Sequence, residues 1–443
     1  MPTTVDYDTG IQVVPLLIDG KATASNPPIR FQVVSSSQKK VVYLAEAADA
    51  KAVVTAAQAA ETAFKRWSRT SAISRRDILL RVADLLKARQ DELMALQMEE
   101  TSCTKGWAYF QISYAVVNIQ ETAARITEAC AGTIPAPAGE ETTGFVFMEP
   151  IGPVFLMSPW NAAVILSVRN LGSILGAGCT SVWKASELSP RTHHALAEIF
   201  MEAGLPPGVL NVIQSRREDA AAITEALISH PAIRKVDFIG SDAVAIVLDD
   251  ANLEDAASKC AEGAFLHHGQ ICFSTERIIV QKKIAGTFLS LLQKHAAVAS
   301  SGDGVTERVI TNAYNKLVEA KSKGAKFIIG GPQYDSSSSL RPTIVTGVTK
   351  DMSMWDEETF GPSVAVFIVE TEQEAIDLAN NTRFGLNAAV HTANMHRGLI
   401  VARQLEYGQV HVNSLTEADE PRRDEKKRYS TEAKAICASY KSI

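Results

Sequence analysis

Segments with helical and strand-like patterns alternate through the middle of the chain, and this alternation limits the fold more than any other feature. Strand-like runs cover residues 154–157, 180–184, 209–214 and 235–239, and helical patterns cover residues 163–175, 190–203 and 217–228 between them. Strands that are separated by helices at this spacing pair in parallel, with helices on both faces of the sheet. The sequence therefore predicts an α/β fold with a doubly wound parallel sheet, and such sheets bind ligands at the carboxyl ends of their strands.

Length, composition and charge exclude several classes of protein. The chain has 443 residues, which corresponds to about three domains by length alone. The formal net charge of −6 argues against nucleic acid as a partner, and no apolar run is long enough to cross a membrane. Residues 1–8 lack the basic and apolar regions of a signal peptide. The six cysteines show no CxxC spacing, so we expect a cytoplasmic protein without a disulfide framework or a zinc site.

The stretch 263–272 contains the strongest candidate for a nucleophile. An apolar helical run ends at Phe265, the pattern breaks at Gly269, Cys272 follows, and a strand-like run begins at Arg277. A cysteine between a helix and a strand can face a ligand, and its thiolate is a strong nucleophile where the thiol pKa is lowered. The alternative is that Cys272 is a small buried hydrophobic residue, the common role of a cysteine outside a disulfide.

The residues on both sides of Cys272 favour the catalytic interpretation. Gly-Gln-Ile-Cys at 269–272, followed by Thr-Glu-Arg at 275–277, resembles the nucleophile signature of the NAD(P)-dependent aldehyde dehydrogenase superfamily. The form of the signature resembles the aryl-aldehyde branch, which includes salicylaldehyde and vanillin dehydrogenases. This resemblance extends over residues 16–413. It implies that Cys272 attacks an aldehyde, that the substrate is aromatic, and that a carboxylic acid is formed through a thiohemiacetal and a thioester.

A second motif follows the strand-like run 154–157. Pro-Trp-Asn at 159–161 places an amide after a buried strand, where it can donate to a developing oxyanion, although an Asn in such a position is more often part of a turn. The same three residues resemble the family segment whose Asn forms the oxyanion hole with the backbone N–H of the nucleophile. The resemblance gives that role to Asn161 and places Trp160 in the wall of the cofactor cleft.

The next strand-like run ends in Lys-Ala-Ser-Glu at 184–187. A surface ion pair between these two charged side chains would contribute little. The segment resembles the family's Lys-Pro-Ser-Glu, with Ala185 in place of Pro, whose Lys and Glu contact the adenosine ribose. The resemblance gives these roles to Lys184 and Glu187. A glutamate would repel a 2′-phosphate, which favours NAD over NADP as the cofactor.

Two further segments resemble parts of the family's cofactor site. Phe-Ile-Gly-Ser at 238–241 is similar to the turn under the pyrophosphate, so we assign Gly240 and Ser241 to the cofactor. Glu-Thr-Phe-Gly-Pro at 358–362 is similar to the family's Glu-x-Phe-Gly-Pro segment. There the Glu binds the nicotinamide ribose and the Phe packs near the nicotinamide, roles that fall to Glu358 and Phe360. Without the resemblance this segment would be an acidic loop before a strand.

Two pairs of adjacent histidines stand out, but they do not predict a metal site. The pairs are at 193–194 and 267–268. Neighbouring side chains on a helix point in different directions, and the sequence offers no third ligand at a suitable spacing.

The segment after residue 239 departs from the family pattern. Only residues 240–242 separate the strand-like runs 235–239 and 243–248, whereas a crossover between parallel strands needs a dozen or more residues. We therefore predict that these runs are not neighbouring strands of one βαβ unit. The family has at this point a helix, a strand and a Glu-Leu-Gly-Gly-Lys segment, whose Glu is the general base for thioester hydrolysis. That segment is missing, and Glu262 is near Cys272 in sequence only.

The resemblance implies a domain organisation with two unusual regions. An NAD(P)-binding domain takes residues 1–130 and 151–241 and is incomplete after 241. An oligomerisation hairpin takes 131–150, a catalytic domain takes 242–415, and a charged tail takes 416–443. The hairpin predicts a homo-oligomer, whereas the tail lacks the family's Pro-Phe-Gly-Gly segment and last strand, which argues against oligomerisation through that strand. Two hypotheses remain: an active aldehyde dehydrogenase, or a degenerate relative whose turnover is impaired by the missing base.

Overall fold

The structure of the protein is a computed structural model, which describes residues 4–6, 9–136, 143–238, 243–299, 301–416 and 438–440. The Cα positions divide the chain into two units. Unit 1 consists of Met1–Thr101, Lys105–Ile239 and Lys427–Ile443, and unit 2 consists of Ser102–Thr104 and Gly240–Lys426. Most of the predicted tail therefore lies outside the described residues.

Unit 1 contains all of the alternating segments predicted from the sequence. Its strands are β1 (Thr4–Val5), β2 (Gln12–Val14), β3 (Leu16–Ile18), β4 (Lys21–Thr23), β5 (Arg30–Ser35), β6 (Lys40–Glu46), β7 (Met148–Pro150), β8 (Val154–Met157), β9 (Ser181–Lys184), β10 (Leu210–Ile213) and β11 (Lys235–Asp237). Its helices are α1 (Ala50–Trp67), α2 (Ala72–Ala88), α3 (Gln90–Thr101), α4 (Lys105–Ala129), α5 (Ala163–Gly176), α6 (Pro190–Glu202) and α7 (Ala220–Ile228).

The sheet at the centre of unit 1 confirms the predicted parallel pairing. Its strand order is β11-β8-β9-β10-β3-β4, and β11, β8, β9 and β10 are parallel to one another. Phe155, Val182 and Ile213 point to one face, where they pack with buried residues of α1 and α7. The connections through α5 and α6 lead from β8 to β10, and the chain then returns to the other side of β8 as β11. The carboxyl end of β8 is thus the point at which the strand order reverses, where doubly wound sheets bind their ligands.

Local sequence signals explain how the first helices begin. The side chain of Asp49 accepts a hydrogen bond from Ala52 N at 2.7 Å and is the N-cap of α1, a position that favours Asp. The side chain of Ser71 accepts from Ser74 N and caps α2, whose apolar face includes the buried Ile78 and Leu79. An Asp-Gly turn joins β3 to β4, with a positive φ at Asp19 and Gly20.

Phenylalanine side chains are exposed at two edges of unit 1. The run Phe145–Phe147 is not a strand, because only Val146 is paired, in an isolated bridge to Thr133. Both phenylalanine side chains of this run are exposed and stacked, with ring centroids 6.4 Å apart. At the other edge, β11 ends the sheet, and Phe238 after it is 69% exposed. In the described part of the chain, no strand covers the outer edge of β11.

Unit 2 is a second α/β unit. Its strands are β12 (Ala243–Val247), β13 (Thr275–Gln281), β14 (Lys326–Ile329), β15 (Tyr334–Ser336), β16 (Ser339–Leu340), β17 (Thr343–Thr346), β18 (Ser363–Val369), β19 (Asn387–His391) and β20 (Gln409–Val412). Its helices are α8 (Leu253–Phe265), α9 (Lys282–Val298), α10 (Glu307–Ser322), α11 (Glu372–Asn380) and α12 (Met395–Ala402), with 3₁₀ turns at Leu266–Gly269 and Ser353–Trp355. The serine run 336–339 contributes to the hairpin of β15 and β16.

The sheet of unit 2 has the order β14-β17-β18-β13-β12-β19-β20, and all of its strands except β14 are parallel. Alternate residues of β12 explain how both faces are covered. Val244 and Ile246 pack with α11 and α12 on one face, and Ala245 and Val247 pack with α8 and α9 on the other. Because β11 and β12 belong to different sheets, the prediction that they are not neighbours is confirmed.

Residues Ala438–Tyr440 form strand β21, which pairs antiparallel with β7 of the same chain. Within the described ranges, no helix has both the length and the apolar character that a membrane span requires.

Candidate active site

Cys272 lies on a loop between α8 and β13 whose backbone conformation is unusual. His267, His268 and Gly269 have φ values of 50°, 61° and 69°, a left-handed conformation that side chains other than glycine rarely adopt. This turn reverses the chain after α8 and brings it to the amino end of β13. Cys272 is half-buried there, so it combines support from the fold with access from outside, as a nucleophile requires.

Gln270 fixes this nucleophile loop from inside. Its side chain is fully buried; Nε2 donates to the carbonyl oxygens of His267 at 3.0 Å and Asp303 at 3.1 Å, and Oε1 accepts from Val305 N at 2.9 Å. The side chain thereby joins the loop to the segment before α10. A buried amide with three hydrogen bonds holds its backbone in one position, and Cys272 follows only two residues later.

Ser274 fixes the other side of the cysteine. Its hydroxyl donates to Gly263 O at 2.9 Å, and its N–H donates to Ile271 O at 2.9 Å. The next residue, Thr275, has its hydroxyl 2.9 Å from that of Thr416. The nucleophile loop is therefore bonded both to α8 and to the chain after β20.

A second loop, 358–361, lies against the nucleophile loop. It precedes β18 as the nucleophile loop precedes β13, and these two strands are parallel neighbours with Arg277 opposite Ala365. The carboxylate of Glu276 accepts from Thr359 N at 2.9 and 2.7 Å and from Phe360 N at 2.9 Å. A residue of β13 therefore holds the backbone of the second loop, in which Phe360 has a φ of 52°.

Burial dominates the electrostatics of the second loop. Burial and the charge of Glu276 raise the pKa of Glu358 to about 8, and the nearby ammonium of Lys316 opposes this shift. Burial also raises the pKa of Glu276, against the effect of the two amides that it accepts. Lys316 Nζ donates to Glu358 O at 2.9 Å and lies 3.1 Å from a carboxylate oxygen of Glu357.

In unit 1, Asn161 lies between the end of β8 and the start of α5. Asn161 is 3% exposed, and its carbonyl oxygen accepts from Trp107 Nε1 at 2.9 Å. The first turn of α5 is fixed by Gln111 of α4, whose Oε1 accepts from Val164 N at 3.2 Å. Trp160, next to Asn161, is half-buried. The segment is therefore anchored by its backbone at the carboxyl end of β8.

Lys184 is the last residue of β9, the strand beside β8, and lies opposite Met157. Burial lowers the pKa of Lys184, and the charge of Glu187 opposes that shift. The turn between these two residues is held by His193 of α6, whose Nδ1 accepts from Ser186 N at 3.2 Å. Burial lowers the pKa of His193 to about 3, so its ring is neutral and can act as an acceptor.

The structure thus groups the candidate residues by the edge of the sheet that carries them. Asn161, with Trp160, and Lys184, with Glu187, follow neighbouring strands at the carboxyl edge of the unit 1 sheet, as the sequence predicted. In unit 2 the candidates Cys272, Glu358 and Phe360 precede strands, so they lie at the amino edge of the sheet. The expectation that ligands bind at the carboxyl ends of strands therefore does not apply to unit 2.

Some predicted residues cannot be placed, and some important residues were not predicted. Gly240 and Ser241 lie outside the described residues. Sequence reasoning gave no role to Gln270, Glu276 or Lys316. The first two are part of the signature around Cys272 and could have been singled out for that reason, whereas Lys316 is on a distant helix with no local signal.

The histidine pairs have a structural explanation. Burial lowers the pKa of His267 to about 3 and that of His268 to about 4, so both rings are neutral. Among the described residues, no three His, Cys, Asp or Glu side chains lie close enough together to hold a metal ion.

The chain is similar to known proteins along most of its length. The sequence profile of the aldehyde dehydrogenase family matches residues 23–245 and 242–423. A vanillin dehydrogenase of Pseudomonas fluorescens is 34% identical over 441 aligned residues, which cover 92% of this chain and 91% of that protein. The crystal structure of a salicylaldehyde dehydrogenase from Pseudomonas putida G7, complexed with salicylaldehyde, has a TM-score of 0.88 and 31% identity, and the match covers 92% of this chain and 91% of that one.

A structure with a bound cofactor is also similar. The NAD⁺ complex of an aldehyde dehydrogenase from Bacillus cereus matches with a TM-score of 0.87 and 27% identity, over 92% of this chain and 90% of that one. The chain belongs to the aldehyde dehydrogenase family. It is accordingly an oxidoreductase that oxidises an aldehyde to a carboxylic acid. Matches that cover this much of both chains do not favour the degenerate relative. The two profile matches meet at residues 242–245, where the sequence lacks the family's Glu-Leu-Gly-Gly-Lys segment.

Proposed function

We propose that the protein oxidises an aromatic aldehyde to the corresponding acid, with NAD⁺ as the cofactor and Cys272 as the nucleophile. The observation that supports this most directly is the position of Cys272, half-buried on a loop that Gln270 and Ser274 hold at the amino end of β13. The names of the relatives, vanillin dehydrogenase and salicylaldehyde dehydrogenase, support an aromatic substrate.

The proposed reaction has two stages, formation of a thioester on Cys272 and its hydrolysis. The thiolate of Cys272 attacks the aldehyde carbon, and the carbonyl oxygen becomes an oxyanion. The side-chain amide of Asn161 and the backbone N–H of Cys272 are the proposed donors to that oxyanion. After loss of a hydride the substrate is a thioester on Cys272. Water then attacks its carbonyl carbon, the acid is released, and the thiolate is restored.

The residues at the carboxyl edge of the unit 1 sheet fit NAD⁺. Lys184 and Glu187 are close enough for the glutamate charge to affect the lysine pKa, and their turn is fixed by His193. A cation and a carboxylate held in this way can bind the two hydroxyls of a ribose. We assign Lys184 and Glu187 to the adenosine ribose and Trp160 to the wall of the cofactor cleft. Gly240 and Ser241 belong to the turn under the pyrophosphate, and Glu358 and Phe360 to the nicotinamide side. Bound NAD⁺ supplies the hydride acceptor.

The same proposal includes the organisation of the chain. We assign residues 1–130 and 151–241 to cofactor binding, 131–150 to an oligomerisation hairpin, 242–415 to catalysis and 416–443 to a separate tail. The exposed Phe145 and Phe147 support a homo-oligomer formed through the hairpin.

The state of the cysteines supports a reducing, cytoplasmic location. Five of them are outside disulfides: Cys103, Cys130, Cys179, Cys260 and Cys272.

The test is NADH formation by the purified protein with NAD⁺ and a panel of benzaldehydes, compared with aliphatic aldehydes of similar size. We expect turnover that is lost in Cys272→Ala. The matched control is Cys260→Ala, which removes a buried cysteine of α8 and should keep turnover if it folds. Equal activity of wild type and Cys272→Ala would refute the mechanism, and a preference for aliphatic aldehydes would refute the substrate class.

A further inference from the structure

The family's general base is missing from this chain, so hydrolysis of the thioester needs another group. A general base must reach water, must be free to accept a proton, and must lie beside the reacting atoms. The acidic residues and histidines around the nucleophile loop can be compared by these criteria. These candidate groups all belong to unit 2.

Most of these groups fail at least one criterion. Glu262 is exposed to bulk solvent on α8, whereas a general base lies beside the reacting atoms in a desolvated site. Both carboxylate oxygens of the buried Glu276 already accept from the amides of the second loop. Asp303 accepts from the hydroxyl of Ser338 at 2.6 Å. The rings of His267 and His268 are buried away from solvent, so water does not reach them.

Glu358 meets the criteria. It is half-buried, and among the described residues its carboxylate makes no hydrogen bond, because Lys316 donates to its backbone oxygen and pairs with the exposed Glu357 instead. Burial and the charge of Glu276 raise its pKa to about 8. A carboxylate with such a pKa is a stronger base than an ordinary glutamate and is ionised above neutral pH.

The fold also places the loop of Glu358 against the loop of Cys272. Its loop and the loop of Cys272 leave the same edge of two neighbouring parallel strands. A β-carbon on Gly269 would lie 2.1 Å from the carbonyl oxygen of Gly361, so the two backbones are in direct contact. Glu276, on the strand that follows Cys272, bonds to the two amides directly after Glu358.

We infer that the carboxylate of Glu358 is the general base that activates water for hydrolysis of the Cys272 thioester. An O–H bond of the water breaks and its proton passes to Glu358. The water oxygen bonds to the thioester carbon, the C–S bond breaks, and Cys272 leaves as a thiolate. No electrons are transferred in this step. The inference rests on the proposed role of Cys272 and gives Glu358 a second task besides the ribose contact.

The test uses p-nitrophenyl acetate, which can acetylate Cys272 without any cofactor. Wild-type protein should release a burst of p-nitrophenolate, one per site, followed by steady turnover. In Glu358→Gln we expect an unchanged burst and a steady rate lowered by about 100-fold, the lower end of what a general base contributes. Acetylated Glu358→Gln protein should accumulate and be detected by intact-protein mass spectrometry. Hydroxylamine, a nucleophile that needs no base, should restore turnover.

A pH profile and a control variant separate a base from a structural residue. The steady rate of wild type should rise with pH through about 8, where Glu358 ionises. Glu276 and Lys316 are the charged groups that act on its carboxylate, and the exposed Glu357 precedes it in the chain. The rise should disappear in Glu358→Gln. Glu262→Gln should behave as wild type. Unchanged steady turnover in Glu358→Gln, or the same loss in Glu262→Gln, would overturn the inference.

The outcomes also distinguish this inference from the proposed function. If Cys272→Ala keeps the burst, the nucleophile is wrong and both proposals fail. If the burst and the Glu358 effect are present but no NADH forms with any aldehyde, the proposed oxidation fails and the assignment of the base stands.

Discussion

The α-carbon of Gly269 faces the carbonyl oxygen of Gly361 so closely that a β-carbon on Gly269 would lie 2.1 Å from that oxygen. This contact joins the nucleophile loop to the loop that carries Glu358. Glu276 reinforces it with hydrogen bonds to Thr359 N and Phe360 N. The relative position of Cys272 and Glu358 therefore depends on a glycine and on a buried carboxylate, neither of which takes part in the chemistry.

Gly269→Ala should reduce activity more than any other small substitution near Cys272. The new methyl group meets a backbone oxygen, and the residue has a φ of 69°, which costs about 1–2 kcal/mol for an L side chain. We expect a lower urea midpoint and a large fall in kcat. Gly286→Ala in α9 is the matched control, since its β-carbon would meet nothing within 4 Å and alanine favours a helix. Equal effects of both changes would contradict the close contact.

Glu276→Ala should loosen the second loop. It removes the acceptor of two amides, and each buried N–H left without an acceptor costs about 1–3 kcal/mol. The urea midpoint should fall, and KM for NAD⁺ should rise if the loop holds Glu358 for the ribose. Glu370→Ala removes an exposed carboxylate that pairs with Lys282 and should change little. A normal KM in a destabilised Glu276→Ala would separate the structural role of this carboxylate from cofactor binding.

Glu187→Ser should shift the cofactor preference toward NADP⁺. The change removes the negative charge that would repel a 2′-phosphate. We expect kcat/KM with NADP⁺ relative to NAD⁺ to rise about tenfold, which corresponds to about 1.4 kcal/mol. Glu225→Gln, an exposed carboxylate on α7, is the control for a change in overall charge. An unchanged ratio would show that Glu187 does not face the ribose.

The stability of unit 1 should depend on the ionisation of Glu100. This buried carboxylate accepts from Arg191 N at 2.7 Å and from Thr192 N at 2.8 Å at the start of α6. Burial raises its pKa from 4.5 to about 7, so the folded state favours the protonated form. The stabilisation of the folded state by protonated Glu100 is fully present below pH 4.5 and is lost as the pH rises through about 7.

The measurement is the melting temperature of wild type and Glu100→Gln across this pH range. The glutamine cannot ionise, so wild type should lose stability relative to the variant as the pH rises. The reverse trend would show that the donors at α6 outweigh burial and hold the carboxylate in its ionised form.

The sequence alone was sufficient for the α/β class, the N-cap of α1, and the separation of β11 from β12. These features depend on local periodicity, on single side chains that bond to nearby amides, and on the length of chain between two strands. The family resemblance was also readable from short motifs, because the residues around Cys272 are contiguous in the chain. A short apolar run does not by itself predict a strand, as Phe145–Phe147 shows, where only Val146 is paired, in an isolated bridge.

Only the tertiary structure decided how distant segments meet. Cys272 and Glu358 are far apart in sequence, and parallel pairing of β13 with β18 is what brings their loops to one edge of the sheet. The raised pKa of Glu358 follows from burial and from Glu276 on the neighbouring strand, neither of which a local pattern contains. Sequence therefore determines which chemical groups are present and which elements carry them, whereas strand register and burial determine which groups act on each other.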